Sequence, residues 1–396
     1  MGSAETTQGS TATAVSLGMP GIPGRRIDAP QIGGVQIEET RLRGPGFAPD
    51  PARPADPRLL DRFGRTATDL RVSVIDKCNL RCTYCMPADG MAWLPQNRLL
   101  TAEEIRRLVG IAVRDLGVRE VRLTGGEPLV RKDLADIVAG LRTDHPDLPL
   151  SLTTNAVGLA ERAAELAAAG LTRINVSLDT LRADTFATLA RRPFLDRALA
   201  GIEAAVAAGL APLKINAVLL RGVNDEQAPE LVSWALDHGH ELRFIEQMPL
   251  DADHGWRREN LVGAAETRAL LSRDFVLSPD PRARNGAPAE RFLVAAKARP
   301  DVVLGTVGII ASVTEPFCGD CRRTRLTAEG RVMSCLFSRE ETDLAGPLRS
   351  GATDAEIADR WRGAMWAKPR AHGMDRPGLG DAGFVQPERT MSAIGG

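Results

Sequence analysis

Cysteine is scarce in this chain, with six residues among 396, and long apolar runs are absent. Six cysteines are too few for the disulfide framework of a secreted scaffold of this length. No stretch of about 18 apolar residues could form a membrane-spanning helix, and no basic segment followed by an apolar core indicates a secretory signal. We therefore expect a cytoplasmic protein without a membrane partner.

Lysine and tyrosine are also scarce, and the net charge is close to zero. The chain has five lysines beside 45 arginines, a single tyrosine, Tyr84, and a formal net charge of -1. Because arginine is so abundant, any single arginine is a weak indication of anion binding. Lysine is rare in this chain, so Lys214 is a stronger indication of an anion-binding site. A charge near zero, without interleaved aromatic and basic residues, argues against nucleic-acid binding.

The six cysteines fall into two triplets, of which the first is the more informative. Cys78, Cys82 and Cys85 form the spacing C-x3-C-x2-C in the run DKCNLRCTYCMP. Three thiolates can hold three irons of a 4Fe-4S cluster and leave the fourth iron open to a ligand that is not protein. Structural zinc fits less well, because it usually has four protein ligands and the nearest histidine is His145.

The second triplet has the spacing C-x2-C-x13-C and is formed by Cys318, Cys321 and Cys335. Its last cysteine follows a predicted hairpin that turns at Glu329 and Gly330. Taken alone, this triplet fits zinc and an iron-sulfur cluster equally well. With a cluster motif upstream, a second 4Fe-4S cluster is the better interpretation, and its open iron would face a substrate.

Short apolar strands alternate with helical periods from about Leu70 to Met248. Six such steps predict an α/β fold in which a parallel sheet forms a partial (β/α)6 TIM-like barrel. Before about Pro57 the chain is rich in small residues, Gly and Pro, which predicts a disordered tail. The expected organisation is a tail over residues 1–60, a partial barrel over 61–250, and a region over 251–396 that closes the barrel and carries the second cluster.

Tyr84, between the last two cysteines of the first triplet, gives a spacing that resembles the radical S-adenosylmethionine (SAM) enzymes. Further segments are similar to the GTP 3',8-cyclase family within that superfamily, from about Asp61 to the last residue. These segments are GGEP at Gly125–Pro128, RFIEQM at Arg243–Met248, CRRTR at Cys321–Arg325 and the terminal Gly395-Gly396.

This resemblance implies a reaction and its cofactors. SAM, chelated by the open iron of the first cluster, would be cleaved to a 5'-deoxyadenosyl radical that abstracts hydrogen from C3' of GTP. The product would be (8S)-3',8-cyclo-7,8-dihydroguanosine 5'-triphosphate, formed in the first step of molybdenum cofactor biosynthesis. The resemblance implies four SAM contacts, which are Tyr84, Gly126, Ser177 and Met248.

The triphosphate is expected to bind among cationic residues on the strands. Arg323 and Arg325 alternate on a predicted strand and therefore share one face, where two guanidinium groups can bind phosphate oxygens. The resemblance implies further substrate contacts at Arg71, Arg122, Thr153 and Lys214. It also implies catalytic roles for Arg323, Arg325, Gly395 and Gly396. Glu120 departs from the family pattern, which often has lysine there.

The sequence also suggests partner proteins and leaves two alternative functions open. The resemblance implies a reductant such as flavodoxin or ferredoxin and product transfer to cyclic pyranopterin monophosphate synthase. A homodimer is a further expectation, which the sequence itself does not determine. A radical SAM peptide-modifying enzyme with an auxiliary cluster is the alternative function, although such enzymes usually carry more than three distal cysteines. A non-catalytic zinc or iron-sulfur module that binds nucleic acid is a more distant alternative.

Overall fold

The computed structural model describes residues 50–372 and 386–395. Within these ranges, twelve strands form one sheet in the order β12-β11-β10-β1-β2-β3-β4-β5-β6-β9-β8-β7. The strands are β1 Asp69–Ser73, β2 Glu120–Thr124, β3 Leu150–Thr154, β4 Arg173–Ser177, β5 Lys214–Leu219, β6 Glu241–Glu246, β7 Phe275–Pro279, β8 Glu290–Ala296, β9 Arg299–Ile310, β10 Arg323–Leu326, β11 Arg331–Met333 and β12 Thr342–Asp343.

Helices connect the strands of the first half of the chain. The helices in the described ranges are α1 Ala102–Asp115, α2 Leu134–Asp144, α3 Ala163–Ala168, α4 Ala183–Ala190, α5 Leu195–Ala207, α6 Ala228–Asp237, α7 Ala264–Leu271, α8 Ala345–Arg349, α9 Asp354–Trp366 and α10 Met391–Ile394. None of them has the length and apolarity that a bilayer-spanning helix requires.

Strands β1 to β6 are neighbours in chain order, and each is parallel to the next. Parallel strands need crossover connections, and α1 to α5 supply them between β1 and β5, with α6 between β5 and β6. The predicted α/β class is confirmed. Curvature of these strands into a partial barrel and the predicted domain boundaries stay predictions.

Local sequence explains where the helices begin and which face they bury. At the start of α1, Thr101 Oγ1 accepts a hydrogen bond from Glu104 N, and Glu104 Oε2 accepts one from Thr101 N. This reciprocal capping satisfies amide groups that the first helical turn leaves without partners. The apolar stripe of α1, which includes Ile105 and Leu108, is completely buried.

The C-terminal region contributes strands to both sides of the six-stranded core. Strand β9 pairs in parallel with β6, and β10 pairs in parallel with β1. Strands β10 and β11 form the predicted antiparallel hairpin, and Gly330 has the positive φ of 80° that its turn requires. Strands β7 to β9 form an antiparallel extension that the alternation of strands and helices did not predict.

The two faces of the central sheet differ in chemistry. One face is apolar and fully buried beneath the helices, as at Leu70, Leu123, Leu152 and Ile215. Because side chains alternate along a strand, the intervening residues share the opposite face. That face is polar, and it carries the candidate site.

Candidate active site

Strand register aligns three arginines on the polar face of the sheet. Arg71 on β1 is paired with Arg325 on β10 and with Arg122 on β2. Residues directly opposite each other on adjacent strands have their side chains on the same face. Arg325, Arg71 and Arg122 are therefore neighbours, and we call them the arginine row.

The arginine row is poorly neutralised by the protein. Arg71 is 8% exposed and Arg325 is 4% exposed. Among the described residues, the arginine row forms one ion pair with a carboxylate, between Arg71 Nε and Asp69 Oδ2 at 4.0 Å. Burial, followed by the charge of Arg122, holds the pKa of Arg71 well below its usual value. Burial, followed by Arg323, lowers the pKa of Arg325 to about 10.

Arg243 is a further buried arginine on this face, and it was not predicted as a site residue. It is paired with Asn216 across β5 and β6, and its Nη2 donates to Asn175 Oδ1 at 2.9 Å. Its Nε has no hydrogen-bond partner among the described residues. Burial, followed by Arg122, lowers the pKa of Arg243 to about 10. Its position in the RFIEQM segment was the feature of the sequence that could have identified it as a site residue.

A cavity on the polar face brings most of the predicted site residues together. Its wall includes Asp179, Asn216 and Arg243, which were not predicted, and Met391 from the C-terminal helix α10. The predicted residues that line it are Arg71, Tyr84, Arg122, Thr153, Ser177, Met248, Arg323 and Arg325.

Two predicted contacts lie outside the lining of this cavity. Lys214 is the first residue of β5, and its Nζ donates to Glu241 Oε1 at 3.0 Å. Burial lowers the pKa of Lys214. Gly126 lies at the end of β2 and packs against the loop that leads to Cys78. The predicted roles of both residues in ligand binding stay predictions.

The first triplet lies in the loop after β1. All three cysteines are free. Burial, followed by the charge of Glu127, raises the pKa of Cys78 to about 11. Burial, followed by Cys78, raises the pKa of Cys85 to about 12. Thiols in such surroundings are poor free nucleophiles at neutral pH, whereas a bound metal deprotonates its thiol ligands. The environment therefore suits cluster ligands.

Tyr84, within the first triplet, is held by the carboxylate of Asp179, which lines the cavity. Its hydroxyl donates to Asp179 Oδ2 at 2.6 Å, and Asp179 Oδ1 accepts from Val218 N at 2.8 Å. Burial raises the pKa of Asp179 to about 6. Asp179 follows β4 and Val218 lies on β5, so two strand ends orient the one tyrosine of the chain against the cavity.

Glu127 connects the ends of β2 and β3. Its carboxylate accepts hydrogen bonds from Thr154 Oγ1 and Asn155 N, both at 2.7 Å, and from Leu129 N at 3.0 Å. Burial raises the pKa of Glu127 to about 7. The carboxylate is therefore engaged by protein groups of the strand ends, and it lies close enough to Cys78 to affect that thiol.

We expect the substitution Gly126→Ala to disrupt the first triplet. A Cβ at residue 126 would lie 2.3 Å from Asp76 O and 2.4 Å from Lys77 O, and these backbone atoms cannot move without shifting Cys78. Such overpacking costs about 1–3 kcal/mol. The melting temperature and the iron bound at the first site should both fall. Gly255→Ala is the matched control, because its Cβ would make only an ordinary contact with Asp251. Full iron content in Gly126→Ala would contradict this account.

Two cationic side chains contact the second triplet. Arg323 Nη2 and Lys368 Nζ each lie 3.4 Å from Cys321 Sγ. Burial alone would raise the pKa of Cys321, but these two cations outweigh it and lower the pKa to about 6. Burial raises the pKa of Cys335. The ring of Phe317 lies beneath the Arg323 guanidinium, 4.8 Å from its centre, and both residues line the cavity.

Neither triplet converges on a single point. In residues 50–372 and 386–395, no three His, Cys, Asp or Glu side chains are arranged to hold one metal ion. A 4Fe-4S cluster does not need that convergence, because each cysteine ligates a different iron. Within each triplet the thiols lie near one another: after burial, Cys78 contributes to the raised pKa of Cys85 in the first, and Cys321 and Cys318 contribute to the raised pKa of Cys335 in the second.

The C-terminal segment reaches the site. Arg325 Nη1 donates to Gly395 O at 2.5 Å. Gly395 has a φ of 79°, and a Cβ there would lie 2.6 Å from Thr124 Cγ2 at the end of β2. Met91, in the loop after the first triplet, accepts a hydrogen bond through its sulfur from Ser392 Oγ at 3.4 Å. Gly396, the other predicted glycine, lies outside the described residues.

Comparison with known proteins identifies similar sequences along most of the chain. A family described as the Radical SAM superfamily matches residues 72–235, and one described as Molybdenum Cofactor Synthesis C matches residues 240–374. The chain is 67% identical over 352 residues to the GTP 3',8-cyclase of Paenarthrobacter nicotinovorans, covering 87% of this chain and 99% of the relative. It is 55% identical over 339 residues to that of Streptomyces coelicolor, covering 85% of this chain and 96% of the relative.

A solved structure supports the fold. The crystal structure of Streptococcus suis SuiB bound to S-adenosylmethionine matches with a TM-score of 0.51 and 14% sequence identity. The match covers 84% of this chain and 77% of that chain. At this level of identity the likeness concerns the fold alone.

Proposed function

The chain belongs to the GTP 3',8-cyclase family of radical SAM enzymes, and we propose that the cavity on the polar face is where it binds GTP and SAM. The function predicted from the sequence is confirmed by this membership. The enzyme converts GTP to (8S)-3',8-cyclo-7,8-dihydroguanosine 5'-triphosphate in the first step of molybdenum cofactor biosynthesis.

The arginine row is the observation that carries the proposed substrate site. Buried guanidinium groups without full counter-charges are costly unless an anion neutralises them. A triphosphate supplies several negative oxygens and can accept paired hydrogen bonds from arginine. We therefore assign the triphosphate to the arginine row, with Arg323 and Arg243 beside it. A peptide-modifying enzyme has no evident need for this concentration of positive charge.

The first triplet and the cavity wall form the proposed cofactor site. Cys78, Cys82 and Cys85 would hold a 4Fe-4S cluster, which with SAM supplies the 5'-deoxyadenosyl radical that takes hydrogen from C3' of GTP. Tyr84, held by Asp179, would orient the adenine of SAM. The remaining proposed SAM contacts are Gly126, Ser177 and Met248.

The second triplet would hold the base of the substrate. Cys318, Cys321 and Cys335 would hold three irons of a 4Fe-4S cluster and leave the fourth without a protein ligand, and we assign the guanine edge to that position. Guanine has polar atoms that need partners in a buried site, so a purine without them would be rejected. The protein's own contribution is orientation of GTP between the arginine row and this triplet.

Other partners rest on the family alone. We propose a small reductant such as flavodoxin or ferredoxin as electron donor, and cyclic pyranopterin monophosphate synthase as the enzyme that receives the product. A homodimer belongs to the same set of proposals. Each of these follows from the family's biochemistry, and none depends on a particular contact in the chain.

Anaerobic reconstitution of the full chain tests the cofactor assignment. Two clusters require about eight irons and eight sulfides per chain, and one cluster requires about four of each. The loaded enzyme should form the cyclised nucleotide from GTP when given SAM and a reductant. Zinc in place of iron in either triplet, or about four irons in a fully loaded chain, would contradict the two-cluster proposal.

We expect Arg71→Met to weaken binding of GTP much more than binding of guanosine. Loss of one charge-assisted contact costs about 1.5–3 kcal/mol, or about one to two decades in affinity. Removal of a buried and poorly neutralised cation should also leave the melting temperature of the ligand-free protein unchanged or raise it. Thermal unfolding with and without each ligand measures both effects.

Arg322→Met is the matched control for this experiment. Arg322 is exposed, immediately precedes β10 and pairs with Asp320 at 3.2 Å, so its removal should not change the preference for GTP. Equal loss of GTP and guanosine binding in Arg71→Met would remove Arg71 from the triphosphate site.

A further inference from the structure

The two triplets differ in their electrostatic surroundings. Two carboxylates adjoin the first triplet: Asp179 Oδ2 accepts a hydrogen bond from the Tyr84 hydroxyl at 2.6 Å, and Glu127 accepts one from Asn155 N, whose side-chain Nδ2 lies 3.9 Å from Cys78 Sγ. One cation also lies there, because Arg81 Nη1 donates to Cys78 O at 2.8 Å. Cations adjoin the second triplet, where Arg323 and Lys368 both contact Cys321 Sγ. Negative charge near an iron-sulfur cluster disfavours its reduction, and positive charge favours it.

Lys368 is the more unusual of the two cations, because it is 3% exposed. Its Nζ donates to Arg323 O at 2.8 Å, to Cys321 O at 3.3 Å and to Cys321 Sγ at 3.4 Å. An ammonium group has three N–H donors, and these three acceptors use them all. Among the described residues, the negative groups that act on Lys368 are the thiols of Cys321 and Cys335, so its charge acts on the second triplet.

The backbone fixes Lys368 in this position. It lies two residues after the end of α9, and its amide nitrogen donates to Met365 O at 3.0 Å in the last turn of that helix. Helix α9 is anchored on β10 through Trp361, whose Nε1 donates to Thr324 Oγ1 at 3.0 Å. The helix that covers β10 therefore also delivers the ammonium group to the start of the same strand.

We propose that Lys368 is a positioning residue of the second triplet, which holds Cys321 and raises the reduction potential of the cluster there above that of the first cluster. This inference rests on the proposed two-cluster function. Arg323 adds a second positive charge, but it also faces the substrate cavity, whereas Lys368 does not line it. Lys368 thus affects the second cluster without touching GTP.

The consequence is an order of reduction. The cluster with the higher potential accepts an electron first, so the second cluster should be reduced before the first in a titration of the enzyme. The low potential of the first cluster suits the reductive cleavage of SAM, for which a strong reductant is required. The chain would then carry two clusters of the same type that differ in potential through neighbouring charges.

Redox titration of the anaerobically loaded full chain, followed by electron paramagnetic resonance, tests the inference. Proteins that lack either the first or the second triplet assign each signal, and the second cluster should have the higher midpoint potential. Lys368→Gln keeps hydrogen-bond donors but removes the charge, and it should move only the second midpoint to a lower value. Lys368→Arg keeps the charge and should restore it. Lys297 lies on an exposed turn and provides the matched control, because Lys297→Gln also removes one positive charge but should change neither midpoint potential.

The outcomes separate this inference from the proposed function. A wild-type chain that loads only one cluster contradicts the two-cluster function itself. If Lys368→Gln binds as much iron as the wild-type protein and both clusters keep their wild-type midpoint potentials, the proposed role of Lys368 is wrong. Loss of iron from the second site in Lys368→Gln, with recovery in Lys368→Arg, supports a requirement for the positive charge. A second cluster with the lower midpoint in the wild-type protein overturns the predicted order.

Discussion

Replacing Cys78, Cys82 and Cys85 together by alanine is expected to abolish the cleavage of SAM. These thiols are the proposed ligands of the cluster that binds SAM, so their loss removes the site at which an electron reaches the sulfonium group. Replacing Cys318, Cys321 and Cys335 should instead leave some uncoupled cleavage and no cyclised nucleotide. Chromatographic measurement of 5'-deoxyadenosine and of the cyclised product distinguishes the two results.

The comparison requires that each variant stays folded and keeps its remaining cluster. Iron content and thermal unfolding provide that control, with about four irons expected per chain in both variants. If the two variants lose SAM cleavage equally while each retains its remaining cluster, the division of labour between the triplets is wrong. Cyclised product from the second variant would likewise remove the second cluster from substrate binding.

Deleting Gly395 and Gly396 is expected to reduce product formation steeply while both clusters and the fold remain. Gly395 O accepts a hydrogen bond from Arg325, and the segment lies against the end of β2 beside the first triplet. Without this contact, Arg325 loses a partner that orients it at the proposed triphosphate site. Misplacement of a catalytic group by about 1 Å can cost about 10²-fold in rate. Turnover and iron content of the truncated enzyme measure the effect.

A pair of alanine substitutions separates this role from general backbone strain. Gly395 and Gly351 have similar positive φ angles, 79° and 86°, which disfavour any residue with a Cβ. A Cβ at Gly395 would collide with Thr124, whereas one at Gly351 would meet nothing within 4 Å. Gly395→Ala should therefore lower turnover far more than Gly351→Ala. Wild-type turnover in the truncated enzyme would show that the segment is a passive terminus.

The repeated strand and helix periods predicted the core of the fold correctly, and they failed where periodicity was weak. Strands β1 to β6 are short and bury one face beneath helices, so apolar residues recur with the strand period. Strand β9 has twelve residues, but the first six of them are exposed. Because an exposed stretch has no reason to alternate, that strand and its neighbours β7 and β8 were not predicted.

Local spacing also predicted the two cysteine triplets, but not the charges around them. Cluster ligands must be close in space, and cysteines three or four residues apart meet that condition in a short loop. Cys335 is 14 residues from Cys321, and the hairpin of β10 and β11, which the sequence also predicted, brings it back toward the other two cysteines. Lys368 is 47 residues from Cys321, and only the docking of α9 on β10 brings them together. Arg243 and Asp179 were missed for the same reason, because each gains its importance from residues on other strands.

The sequence by itself determined the spacing of the cysteines, the strand period and the family to which the chain belongs, because each depends on residues that are near one another in the chain or on short motifs. Tertiary structure decided which charges are neutralised. Arg71 and Arg325 are 254 positions apart, yet strand register makes them neighbours in a buried row. Burial and distant partners set the free energy of a charge, and neither can be read from local spacing.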